Sequence, residues 1–210
     1  MKKKLLILLG VLIGVFIILI GIFTKKDAND EVYETLAYIK GLKNYVAEFS
    51  MTIFNDKQER DYDIKEAFDK TKGTYMKIDE AREVWYLKEG VVVKDHENNR
   101  IYEPDKIDDN ILQYICAHQY IKKLYTNEEV KYEYREENKS EQLVISFEIY
   151  DENANFKNAE LFIDKATGKP SGLEIYNERN DKVIAIRYKN FKGDYKEIQE
   201  IFDVDRDTKE

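Results

Sequence analysis

Histidine and cysteine are scarce in this chain, so few residues could bind a metal ion. The histidines are His96, in a polar turn, and His118, on the apolar face of a predicted helix, and the only cysteine is Cys116. A zinc site needs several such ligands at suitable spacing, and neither an H-x-x-x-H pair nor a cysteine cluster is present. The sequence therefore predicts no metal site, and it predicts that both histidines are solvated or packed in the core.

Cys116 would need a nearby base to act as a nucleophile, and His118 is the nearest histidine in the sequence. Two positions along a helix correspond to a rotation of about 200°, so we expect these two side chains to point in different directions. Cys116 is therefore predicted to pack as a small apolar residue at the side of the helix.

The other familiar patterns of catalytic residues are absent from the sequence. The run Asp203-Val-Asp-Arg-Asp207 has oxygen ligands at alternate positions but lacks the glycine and the closing glutamate of a calcium loop. Carboxylates are so abundant that no pair of them is distinctive. We expect a protein that is not an enzyme and that uses no cofactor. None of its four serines lies in a G-x-S-x-G turn; they are Ser50, Ser140, Ser146 and Ser171.

The chain of 210 residues is acidic after its first 26 residues. Five of the 34 lysines and arginines lie in that first segment, which leaves 29 basic against 42 acidic residues and a net charge near −13 for the rest. Such a charge repels nucleic acid, so we expect no nucleic-acid partner. The single cysteine excludes an intrachain disulfide.

Residues 1–26 are typical of a membrane anchor. Leu5–Phe23 contains nineteen residues without a charge, and a helix of that length spans about 28 Å, close to the hydrocarbon thickness of a bilayer. A cleaved signal peptide has a shorter apolar core followed by a small-x-small site, and no such site follows Phe23. The predicted anchor residues include Leu5, Leu9, Leu12, Phe16, Leu19 and Phe23.

The charges around this segment predict how it crosses the membrane. Three lysines precede it and two follow it, so the positive-inside rule predicts a cytoplasmic N-terminus and an extracytoplasmic C-terminal domain. Gly10 and Gly14 have the small-xxx-small spacing of helix pairs, which is compatible with a homodimer. The alternative is that glycine is simply common in such helices.

Apolar residues alternate with polar ones along most of the remaining chain, which is the pattern of half-buried strands. Ile184, Ile186 and Tyr188, for example, alternate with Ala185, Arg187 and Lys189. Counting such runs gives about eleven strands joined mostly by tight turns, and helices at Asp30–Asn44 and Asp108–Tyr125. We therefore predict an α+β fold. It is a single curved antiparallel sheet, an unclosed half-barrel, with the helices on its concave face. The domain is predicted to span residues 27–196, before a frayed acidic tail at 197–210.

The predicted hairpin at Trp85–Val93 is a candidate binding surface. Trp85 is the only tryptophan, and it alternates with Val84 and Tyr86 in a strand. It is expected either to pack in the concavity of the sheet or to mark an exposed recognition surface. The candidate binding residues are Trp85, Tyr86, Val91 and Val93.

Several short segments resemble the LolA/LolB superfamily of lipoprotein carriers, between residues 31 and 195. The most specific is Leu161-Phe-Ile-Asp-Lys-Ala-Thr-Gly-Lys-Pro170, followed by Ile186-Arg-Tyr-Lys-Asn-Phe191; Leu42–Phe49 and the hairpin at Trp85–Val93 add to it. Within the superfamily the chain is similar to germination lipoproteins of the GerS type from clostridia. This resemblance implies a half-barrel at the membrane of sporulating cells. There it would bind and activate a peptidoglycan amidase, an N-acetylmuramoyl-L-alanine amidase. The chain departs from the pattern because it lacks the lipobox cysteine.

Three functions follow from these expectations. The first is a membrane-tethered scaffold for a cell-envelope enzyme, which requires a filled concavity. The second is a lipid or lipoprotein carrier or receptor with an empty apolar cavity, although a tethered protein cannot shuttle between membranes. The third is a sensor that regulates a signalling protease or a sigma factor.

Overall fold

The computed structural model describes residues 28–104, 115–126, 130–137, 140–149 and 156–203. The chain divides between Ala37 and Tyr38 into two units. Helix α1 spans Ala28–Gly41. Its residues up to Ala37 are the described part of the first unit, and its remaining residues belong to the second unit. The predicted anchor at Leu5–Phe23 and its glycine pair lie outside the described residues. Within the described ranges, no helix has the length and apolar character needed to cross a membrane.

Eleven strands in the second unit form one antiparallel sheet. Strands β1–β6 form one meander and β7–β11 a second, and the pairing of β1 with β11 joins them. The sheet order therefore runs from β6 at one edge to β7 at the other, so the sheet is unclosed, as predicted. The strands are Asn44–Phe54, Glu59–Asp69, Gly73–Ile78, Arg82–Leu87, Val91–Asp95, Arg100–Tyr102, Lys131–Glu137, Ser140–Glu148, Asn158–Asp164, Lys169–Tyr176 and Lys182–Gly193.

The turn between β9 and β10 is built on an aspartate, a threonine and a glycine. The Asp164 carboxylate accepts hydrogen bonds from the backbone N–H and the hydroxyl of Thr167. Gly168 then adopts a φ of 66°, in the left-handed region that glycine tolerates best. The turn fixes the register of β9 against β10, in which Lys169 pairs with Asp164.

One face of the sheet carries most of the apolar core, and we call it the helix face because helix α2, Ala117–Thr126, packs on it. The Tyr120 hydroxyl of α2 contacts the Tyr188 hydroxyl of β11. The predicted helix Asp108–Tyr125 agrees with α2 at its C-terminal end, and residues 108–114 lie outside the described ranges. Side chains of this face that are at most 3% exposed include Met51, Leu143, Ile145, Leu161, Ile163, Leu173, Ile175, Ile184 and Ile186.

The opposite face of β2–β5 is covered by the end of the described chain. Ile198 and Phe202 are buried against Ala67, Trp85 and Val92. Ile198–Ile201 forms a helical turn, α3. The expectation that the tail frays from Glu197 is therefore wrong as far as Phe202. The physical reason is that Ile198 and Phe202, four positions apart, fall on one side of a helical turn and cover an apolar patch.

Candidate functional site

A group of polar side chains lies buried between the helix face and α2. Tyr45 comes from β1 and Glu66 from β2, and the register of the two strands puts them on the same face as diagonal neighbours. His118 lies in the first turn of α2, and Cys116 is the residue directly before the helix. We call Tyr45, Glu66, Cys116 and His118 the polar cluster. Glu66 is only 2% exposed, so a carboxylate is enclosed in an otherwise apolar layer.

The Tyr45 hydroxyl connects the members of the polar cluster. It donates a hydrogen bond to Glu66 Oε1 at 2.5 Å and accepts one from the backbone N–H of His118 at 3.1 Å. The same hydroxyl lies 3.2 Å from His118 Nδ1. An N–H in the first turn of a helix has no partner within the helix, so the Tyr45 oxygen satisfies this group of α2. Through Tyr45, strand β1 thus holds both the Glu66 side chain and the first turn of α2.

The His118 ring is held on its other side by an aromatic contact. The Phe68 ring stacks on it with centroids 4.1 Å apart and planes 11° apart. His118 Nδ1 lies 3.8 Å from Glu66 Oε1. Glu66 Oε2, in contrast, has no hydrogen-bond partner among the residues that the structure describes.

Burial sets the protonation of the hydroxyl and thiol groups in this layer. Burial, and then the charge of Glu66, raise the pKa of the Cys116 thiol well above its usual value. The same causes, in the same order, raise the pKa of the Tyr45 phenol. At neutral pH both groups therefore keep their protons. A protonated thiol is a poor nucleophile, so the cluster is not arranged for nucleophilic catalysis.

The expectation that Cys116 and His118 point in different directions is wrong. One donor atom from each of Glu66, Cys116 and His118 lies within 4.8 Å of the others. The helical rotation that we applied does not hold because α2 begins at Ala117, so Cys116 precedes the helix.

Glu66 was missed as a member of the cluster because acidic residues are so common in this sequence. A signal was present, however. Ile64, Glu66 and Phe68 alternate along β2 and share one face, so a charged residue occupies a position that the pattern assigns to the core. Such a position is costly unless it is functional or well compensated.

The four candidate binding residues of the hairpin do not form one surface. The pairing of β4 with β5 puts Tyr86, Val91 and Val93 on the helix face and Trp85 on the opposite face. Trp85 is 6% exposed and donates its indole N–H to the Ile201 carbonyl oxygen at 2.9 Å. Trp85 thus packs under α3, which neither of the two expectations for this residue had foreseen. Tyr86 and Val91 are half-buried, and Val93 is buried.

The two edges of the sheet differ in length and charge. The β6 edge is only three residues long. The β7 edge has seven residues, six of them exposed, and it carries five charged side chains. Arg135 of this strand pairs with Glu160 through two hydrogen bonds of 2.8 and 2.9 Å. Short or charged edges discourage unselective strand pairing, so a partner strand would need complementary charges.

The chain matches the family model described as sporulation protein YdcC-like over residues 2–202. It belongs to the YdcC-like family. No curated protein matches the chain. The match of the YdcC-like chain to its family model also includes the predicted anchor at Leu5–Phe23.

Solved structures similar to this YdcC-like chain match most of its length at low sequence identity. An uncharacterized conserved protein from Thermus thermophilus is 10% identical, with a TM-score of 0.51 over 82% of this chain and 92% of that one. The GerS lipoprotein complex with the CwlD amidase from Clostridioides difficile gives 20% identity and a TM-score of 0.42 over 82% and 99%. The LolA superfamily protein NE2245 from Nitrosomonas europaea gives 9% and 0.39 over 82% and 97%. The similar structures thus include a LolA superfamily protein and a GerS lipoprotein, the two kinds of protein that the sequence resembles.

Proposed function

We propose that this YdcC-like protein is a membrane-tethered, extracytoplasmic scaffold that binds and activates a peptidoglycan amidase in sporulating cells. Two considerations support the proposal: membership of a family of sporulation proteins, and the resemblance of the sequence to germination lipoproteins of the GerS type. The resemblance supplies the class of partner, a peptidoglycan amidase. The sheet supplies the physical argument that the protein acts by binding.

The observation that carries the proposal is the burial of side chains in the middle of the helix face. Side chains across both meanders, such as Met51, Leu161 and Ile186, are at most 3% exposed. A residue that lines a cavity wide enough for an acyl chain would be reached by a water-sized probe. Their near-complete burial therefore favours a filled interior, as a scaffold requires, over the empty pocket of a lipid carrier.

The chemistry of the polar cluster supports a role without catalysis. Its only strong nucleophile is the Cys116 thiol, whose pKa is raised by burial and by Glu66. Serine, histidine and carboxylate groups are not brought together in a triad among the described residues. We therefore propose that the protein acts through binding, with the partner enzyme performing the hydrolysis.

The hairpin of β4 and β5 is our proposal for part of the partner surface. Tyr86 and Val91 are half-buried on one face, where an apolar partner side chain could complete their burial. Trp85 and Val93 are buried and support the hairpin. Replacing Val91 with Glu should weaken partner binding, whereas Val183→Glu is a matched control on β11 because Val183 is also half-buried.

The decisive experiment mixes the full-length protein, purified in detergent, with a cortex amidase from the same genome. The scaffold proposal predicts a stoichiometric complex on size-exclusion chromatography and a several-fold higher rate of amide cleavage in spore peptidoglycan. Native mass spectrometry of the same sample detects bound lipid. Stoichiometric lipid, with no complex and no change in rate, would overturn the scaffold in favour of the carrier.

A further inference from the structure

Three different metal-binding side chains meet in the polar cluster. A carboxylate oxygen of Glu66, the Cys116 sulfur and a ring nitrogen of His118 lie within 4.8 Å of one another. The residues come from distant parts of the chain, because Glu66 lies on β2, His118 lies in the first turn of α2 and Cys116 directly precedes that helix. We propose that these three residues bind a zinc ion, which pins the start of α2 to the helix face of the sheet.

The donor set suits zinc better than the other common metal ions. Zn²⁺ binds thiolate, imidazole and carboxylate groups together, whereas Ca²⁺ and Mg²⁺ require oxygen ligands. The Cys116 thiol keeps its proton in the metal-free protein, and the incoming ion would displace that proton to solvent. Three protein ligands leave one position of a tetrahedral ion for a water molecule or for a partner's side chain. His118 has a side chain that is 19% exposed, so the site is close enough to solvent for an ion to enter.

The state of Glu66 points to a bound cation independently of that donor set. Its side chain is fully buried, and Oε2 has no hydrogen-bond partner in the part of the chain that the structure describes. A buried carboxylate oxygen without a donor is costly. A metal ion at Oε2 would satisfy it, while Oε1 keeps the hydrogen bond from Tyr45.

The neighbours of the three ligands already hold them in place. Tyr45 contacts both Glu66 and His118, and the stacked Phe68 ring fixes the plane of the imidazole. Such contacts around metal ligands set their orientation and raise affinity. Donor atoms in a tetrahedral zinc site are roughly 3.5 Å apart, given bond lengths of about 2.0–2.3 Å. Binding would therefore draw the most distant pair together by roughly 1 Å, which small side-chain rotations can achieve.

The full-length protein, purified in detergent and stripped of metal with a chelator, provides the test. One equivalent of Zn²⁺ should bind in a calorimetric titration, and Co²⁺ should give a thiolate charge-transfer band together with the visible bands of a tetrahedral site. Cys116 is the only cysteine in the chain. A thiolate charge-transfer band therefore identifies the Cys116 sulfur as a metal ligand without the need for a variant. Neither measurement involves an amidase. Zinc binding can therefore be absent while the scaffold proposal stands, and zinc can bind while the scaffold proposal fails.

Variants then assign the other two ligands. Cys116→Ser should abolish the charge-transfer band, and Glu66→Gln and His118→Gln should each weaken Zn²⁺ binding by at least about tenfold. His96→Gln is the matched control, because His96 contacts Glu83 and is not one of the three proposed ligands. This variant should bind zinc as tightly as the unaltered chain does. Co²⁺ binding without a thiolate band, or Zn²⁺ affinity that His96→Gln lowers as much as His118→Gln, would overturn the site in favour of unspecific binding to surface carboxylates.

Discussion

Trp85 donates its indole N–H to the carbonyl oxygen of Ile201, a residue 116 positions further along the chain. This contact joins the fourth strand to the last described helical turn on the face opposite α2. The sheet is therefore covered on both faces at β2, where His118 of α2 stacks on Phe68 and Phe202, after α3, packs against Ala67. The acidic C-terminal segment is part of the fold up to at least Phe202.

Truncating Phe202 should measure how much this cover contributes to stability. Phe202 is 7% exposed and packs against Trp85 and Ala67. Phe202→Ala should lower the free energy of unfolding by about 3–5 kcal/mol, because it removes a buried ring and leaves a cavity. Chemical denaturation followed by tryptophan fluorescence suits the measurement, since Trp85 reports on the same site. Glu200→Ala, an exposed change in the same turn, should cost less than about 0.5 kcal/mol. Equal effects of the two variants would mean that the cover is not packed.

The Tyr45 hydroxyl should be important for stability out of proportion to its size. Tyr45→Phe keeps the buried ring and removes the donor to Glu66 and the acceptor for the His118 N–H. Two buried groups then lose a partner, so we expect a loss of about 2 kcal/mol in the free energy of unfolding. Tyr102→Phe, at a tyrosine that is 38% exposed, is the control and should change stability by less than about 0.5 kcal/mol. A Tyr45→Phe variant as stable as this control would contradict the hydrogen-bonding scheme.

The local pattern of the sequence is enough to predict the sheet. Period-two alternation in segments such as Ile184–Tyr188 predicts strands, and turn residues such as Gly168 predict tight connections, so an open antiparallel sheet of about eleven strands follows. These signals act over a few residues and do not depend on distant contacts.

The parts that were not predicted depend on which distant segments meet. Nothing local indicates that Ile198 and Phe202 cover Trp85, because the surrounding tail is acidic and the apolar pair is short. The polar cluster joins Glu66 to Cys116 and His118, about fifty positions further along the sequence. The prediction for Cys116 was wrong because it assumed that the helix includes this residue, whereas α2 begins at Ala117. Glu66 between Ile64 and Phe68 was the one local indication, since a charged side chain interrupts an apolar strand face.

Gly73 should not tolerate a side chain. It begins β3 with a φ of 131°, a backbone conformation that other residues rarely adopt. A Cβ atom there would lie 2.0 Å from the backbone oxygen of Tyr86 on the neighbouring strand. Gly73→Ala should therefore destabilise the protein by about 2 kcal/mol or more, through strain and a forced shift of β4. Gly41→Ala is the matched control, because in the described part of the chain no atom beyond its own helix backbone and chain neighbours lies within 4 Å of the added carbon. Thermal unfolding compares the two, and equal melting temperatures would show that β4 can move at little cost.

The carboxylate of Glu174 should make the domain sensitive to acid. Its burial pushes the pKa up, but hydrogen bonds from Arg187 and Lys182 outweigh burial and lower the pKa from 4.5 to about 2. Because the pKa is lower in the folded state, these interactions stabilise the protein fully above about pH 5. The stabilisation is lost as the pH falls towards 2.

Glu174→Gln should flatten this acid limb of the stability curve. The variant should be less stable than the unaltered chain at pH 7, by roughly 1–3 kcal/mol, and the difference should shrink steadily between pH 5 and pH 2, because protonation removes the same charge from the unaltered chain. Glu141→Gln is the control, since Glu141 is half-exposed and pairs with Lys165 at the surface, where an ion pair contributes at most about 1 kcal/mol. Denaturation midpoints of the variants and the unaltered chain, measured at several pH values, test this prediction. A gap between the Glu174→Gln variant and the unaltered chain that stays constant down to pH 2 would mean that the ionised carboxylate is not what stabilises this part of the sheet.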